Sequence, residues 1–77
     1  MRHKVIEMNK TADVAGFGVV TVAKQLWVDT NAQASNREAA KRFADEYAKQ
    51  NGLKVVASGT SLNNWFEDKV GMWFWLA

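Results

Sequence analysis

The chain has 77 residues, no cysteine, no proline, one histidine, and ten Lys/Arg against eight Asp/Glu for a formal charge of +2. That composition excludes a disulfide scaffold and any thiolate metal site, and His3 alone supplies too few ligands for an ordinary zinc site, so no cofactor or metal is expected. The charge balance is too even to demand nucleic acid or an acidic membrane surface, and no stretch approaches the roughly 20 apolar residues that span a bilayer.

The opening "MRHKVIEMNK" lacks the apolar run of a signal peptide. The expectation is therefore a single compact cytoplasmic domain over residues 1–77, in which the sequon-like "NKT" at Asn9 is chance. A domain of this size buries only about 60% of its unfolded surface, so its stability must come from close packing or from a partner.

In chain order, "HKVIEM" (3–8) reads as a first strand and "NKTADVAGFG" (9–18) as a flexible connection. "GVVTVAKQLWVDT" (18–30) is β-branched and long enough for one extended strand, with Leu26 and Val28 on one face and Trp27 on the other. The same alternation puts Lys24 on the Leu26 face, which calls for a bulge, an edge position or a break near Ala23. "SNREAAKRFADEYAKQNG" (35–52) is the clearest element. Ser35 and Glu38 have the spacing of a capping box, and Ala39, Ala40, Phe43, Ala44, Tyr47 and Ala48 form one apolar helical stripe. Lys41 with Asp45 and Arg42 with Glu46 are placed to pair four residues apart, and Gly52 supplies a left-handed C-terminal residue. "LKVVAS" (53–58) is a third strand, "GTSLNNWFED" is irregular or a single helical turn begun near Ser61, and "KVGMWFWLA" (69–77) is the last strand. The predicted fold is α+β: a four-stranded, largely antiparallel sheet with one helix packed on one face, in the order ββαββ.

The final strand poses the main question, because from Val70 onward it is apolar at every position. A period of two separates Val70, Met72, Phe74 and Leu76 from Gly71, Trp73 and Trp75. One helix covers one face, and the flexible aliphatic set suits that face. Trp73 and Trp75 then go to the other, together with Trp27 and, if Leu53 and Val55 face the helix, with Lys54, Val56 and Ser58. Three indoles fully exposed would present roughly 450–750 Å², at or beyond the largest patch usual for a soluble monomer. Their burial is worth roughly 11–18 kcal/mol before costs, against an association cost of about 4–15 kcal/mol. Either this face docks on something, or residues 9–18 or 60–68 fold back over it.

Catalytic parts are scarce. His3 reads as a solvated side chain, Ser35 is taken by the helix cap, and Ser58 and Ser61 have no base in any recognisable motif. The adjacent pairs Asp45–Glu46 and Glu67–Asp68 diverge on a helix or lie in a loop, so they do not converge across a cleft. In "AGFGVVTV" (15–22), Gly16, Phe17, Gly18 and Val20 match the central motif of RNA-recognition domains. Ala15, Val19 and Val22 replace the basic residue and the two aromatics that do the binding there, and the match is declined. The two glycines instead allow a turn or bulge at the start of the long strand.

The sequence thus points away from an enzyme and toward a small binding module that acts through Trp27, Trp73, Trp75, Val56 and Lys54. Its partner is expected to be itself, as a homodimer, or another protein, in the manner of a phage or prophage inhibitor of a host protein. A single-stranded nucleic-acid binder, stacking bases on Trp73 and Trp75 with Lys54, Arg2 or Lys4 nearby, is the alternative. No membrane partner is expected.

Overall fold

A computed structural model describes residues 2–30, 35–61 and 71–77. Strands β1 (His3–Val14), β2 (Gly18–Asp29), β3 (Val55–Ser61) and β4 (Gly71–Leu76) and helix α1 (Ser35–Gln50) follow one another as ββαββ. All neighbouring strands are antiparallel and the sheet order is β1-β2-β4-β3. The α+β architecture expected from the sequence is the one observed.

Two strands are longer than the sequence suggested. The segment 9–18, expected to be a flexible connection, mostly continues β1 as far as Val14. It pairs from Lys10↔Val22 to Val14↔Gly18. The hairpin closes through a tight turn in which the Phe17 N–H donates to the Val14 carbonyl at 2.9 Å, with Gly16 at φ 85° and Gly18 at φ 73°. Positive φ at the third turn position is what a type II turn requires. β3 likewise continues past Ser58 to Ser61, so Gly59–Ser61 belong to the sheet. The remainder of the expected irregular stretch, residues 62–68, lies outside the described residues, as do residues 69–70 at the start of the expected last strand.

The register aligns side chains into rows across all four strands. On one face run His3–Val28–Met72–Thr60, Val5–Leu26–Phe74–Ser58 and Glu7–Lys24–Leu76–Val55. Leu26, Val28, Met72, Phe74 and Leu76 from these rows are buried against Ala40, Ala44 and Ala48 of α1, with Val5, Phe43, Tyr47, Leu53 and Val55 around them. The alanines let the helix lie close to the sheet, while Phe43 and Tyr47 fill the space toward β1.

Lys24 does share the Leu26 face, and the irregularity it called for is in the partner strand. β1 takes three steps from Glu7 to Lys10 while β2 takes two from Lys24 to Val22. The extra residue is a β-bulge, and Asn9 there has φ 48°. Glu7 stands opposite Lys24 and accepts a hydrogen bond from its Nζ. Chiefly through that bond, the Lys24 ammonium is held above its ordinary pKa. A raised lysine pKa contributes stability at neutral pH that fades only as pH climbs past the lysine range.

The helix ends as its sequence dictates. The Leu53 N–H donates to the Ala48 carbonyl at 2.8 Å and the Gly52 N–H to the Lys49 carbonyl at 3.1 Å. These are the two bonds of a Schellman motif, with Gly52 at φ 68° in the left-handed position. Leu53 and Ala48 both join the core, which adds the apolar contact that accompanies the motif. At the other end, Asn36 Nδ2 donates to the Thr30 carbonyl at 3.0 Å, tying the helix start to the end of β2. Lys41 reaches back to Glu38 at 3.7 Å rather than forward to Asp45. This exposed pair contributes little. Gly52→Ala should lower stability by about 1–2 kcal/mol, because an L side chain is strained at that φ. Urea denaturation measures it, and an unchanged midpoint would show that the cap does not hold the helix end.

Candidate binding face

The face away from α1 carries its own rows. Lys4–Trp27–Trp73–Gly59 crosses the whole sheet, and Ile6–Gln25–Trp75–Ala57 lies beside it. Trp73 and Trp75 therefore lie across the pleat from Met72, Phe74 and Leu76, which meet the helix. Trp27 and Trp73 are direct cross-strand partners. The Trp73 and Trp75 rings are 5.6 Å apart at their centroids and tilted by 47°, within the range of favourable aromatic pairs.

Backbone, as much as side chains, makes room for the central indole. A Cβ placed on Gly59 would come within 2.7 Å of three atoms of the Trp73 ring. The indole thus lies over the bare backbone of β3, as aromatic side chains do over edge glycines. The sequence reading missed Gly59 because it took Ser58 as the next residue on this face. A bulge moves the alternation by one: Val55 opposes Leu76, and Val56 and Ala57 together oppose Trp75. Val56 is buried to 6% exposure yet stands outside the helix-side core. Ser58, opposite Phe74, turns to the helix side and is exposed.

The five residues singled out from the sequence are thus placed as follows. Trp27, Trp73 and Trp75 share the face away from α1, Val56 sits at the bulge beside Trp75, and Lys54 extends the sheet by a mutual backbone pair with Ala77 at 3.0 Å in both directions. The Lys54 ammonium lies 5.0 Å from the centroid of the Phe17 ring, in cation–π range. Among the described residues, Phe17 (44% exposed) and Val19 (72%) are the exposed large apolar side chains, and both lie at the hairpin tip. The three indoles are only half-buried, so the face is less bare than full exposure would make it. The Trp27 Nε1 atom is buried and has no hydrogen-bond partner among the described residues.

At the far end of this face Arg2 forms an ion pair with Asp29 at 3.0 Å. His3 is on the opposite side. It is a strand residue opposite Val28, and its ring lies 4.9 Å from Phe43 and 5.9 Å from Tyr47. Among the described residues, no three His, Cys, Asp or Glu side chains gather as a metal-ion site would. No helix among them is long and apolar enough to cross a membrane.

The chain matches no known family model, no curated protein and no solved structure.

Gly59→Ala should push the Trp73 indole off β3, alter the near-ultraviolet circular dichroism, and cost about 1–3 kcal/mol, the range for overpacking. In a double-mutant cycle that cost should largely disappear when Trp73→Ala is already present. Additive costs would mean that the ring does not occupy the space above the glycine.

Proposed function

We propose that this chain is a non-enzymatic, cytoplasmic binding module that docks on another protein through the open sheet face. The observation that carries the reading is the row of Trp27 and Trp73 with Trp75 beside it, on the face opposite the helix. Large, rigid amphipathic rings supply contact area at low entropic cost and are enriched at protein interfaces.

Magnitude sets the kind of docking. The three indoles are partly buried, so together they offer at most about 150–250 Å², worth no more than about 4–6 kcal/mol. Association costs about 4–15 kcal/mol. The rings alone do not sustain a permanent homodimer through this face. They suit a partner that adds rim contacts around Lys4 and Gln25. A nucleic-acid platform is less well served, because two of the cations it would use have other contacts: Arg2 with Asp29 and Lys54 with Phe17.

A photo-crosslinking side chain at Gln25, in the row of Trp75, tests the proposal in cells against the same group at Ser58 on the other face. Protein adducts larger than twice the chain mass are expected from position 25 and not from 58. Adducts to nucleic acid from position 25, weakening steeply with salt as phosphate contacts do, would replace this reading with the alternative. Adducts only to a second copy would leave the homodimer.

A further inference from the structure

The two edges of the sheet are built differently, and the difference points to a second interface that is independent of the tryptophan face. An edge strand presents a row of backbone N–H and C=O groups with no neighbour, and proteins ordinarily blunt such rows with charges, bulges or irregular backbone. β1 carries all three devices: Lys4, Glu7, Lys10 and Asp13 along its length, the bulge between Glu7 and Lys10, and the left-handed Asn9.

The other edge is β3, which among the described residues pairs with β4 alone. Its seven residues, VVASGTS, include no charge and no proline. Its one irregularity, the bulge at Val56, lies at its start, and from Ala57 to Ser61 the pairing to β4 is regular. Ser58 and Thr60 are exposed on the helix side, and small Ala57 and Gly59 lie on the other. Nothing on this strand repels or obstructs a second strand laid against it.

We propose that β3 is a self-association edge, and that two copies pair through β3 in antiparallel fashion about a two-fold axis near Gly59. The occupant is a second copy because an uncharged strand is complementary to its own reverse. In an antiparallel pair centred on Gly59, the regular stretch 57–61 of each copy is used, Ser58 of one opposes Thr60 of the other, Ala57 opposes Ser61, and no like charges meet. Such a contact is isologous and closes at the dimer. It joins two four-stranded sheets into one and leaves the tryptophan rows of both copies on the same side, side by side. A bivalent face of this kind gains avidity for a partner with repeated sites, which a weak single face lacks.

Sedimentation equilibrium of the whole chain tests this, with the wild type expected to move from monomer to dimer as concentration rises. S58K/T60K puts like charges on exposed positions along the seam and should weaken the dimer about tenfold or more, with an unchanged far-ultraviolet spectrum. S58E/T60E should do the same, and mixing the two variants should restore a dimer. Trp73→Ser should leave dimerisation intact. A wild type that stays monomeric throughout, a dimer indifferent to both charge variants, or one dissolved by Trp73→Ser would each overturn the proposal. Should the charge variants fail to fold, amide exchange of the wild type decides. Protection must rise with concentration in β3 and not in β1, and equal behaviour of the two edges would overturn it.

Discussion

The structure depends on the insertion of the last strand between two others. β4 joins β2 on one side and β3 on the other, so it has no free edge. One of its faces meets α1, on the other its indoles lie beside Trp27 and over Gly59, and "GMWFWL" is apolar on both. Without β4 the sheet would be two pieces: the β1–β2 hairpin, and a seven-residue strand tethered to the helix by the Schellman turn. The helix packs across the junction, because its alanines contact residues of β2 and β4 together.

The same insertion creates the tryptophan face. β4 brings Trp73 to the side of Trp27 and sets it over Gly59, and both neighbours come from strands distant in sequence. The Trp73 ring has Trp75 beside it, 5.6 Å away between centroids, and lies over the bare backbone of Gly59. That arrangement half-buries the rings while leaving an aromatic surface. It also explains the glycine in an edge strand, where glycine normally weakens pairing.

Two surfaces of different chemistry follow from one topology. The face offers rigid apolar area, and the β3 edge offers backbone hydrogen-bonding groups without charge. The helix side offers neither, because its apolar residues are used in the core and its exposed positions are ionic or small. Chemistry-bearing residues follow the same division. His3 is spent on contacts with Phe43 and Tyr47, and the Glu7–Lys24 pair closes the sheet end beside Leu76 and Val55.

Local signals determined the elements. Gly52 set the end of the helix, the alanine stripe set its buried face, and the alternation in "QLWVD" and "GMWFWL" set which side chains share a face, because each of these depends only on neighbours in the chain. Tertiary structure decided what pairing imposes. The strand 9–14 was illegible because "NKTAD" has weak strand propensity and is held by β2 rather than by its own preference. The bulge at Val56, which trades Ser58 for Gly59 beneath Trp73, arises from the register against β4, and no pattern within "VVASGTS" announces it. The central place of the last strand, and with it the unguarded edge of β3, is a property of the assembled sheet, since strand order is fixed by contacts between segments that the sequence keeps far apart.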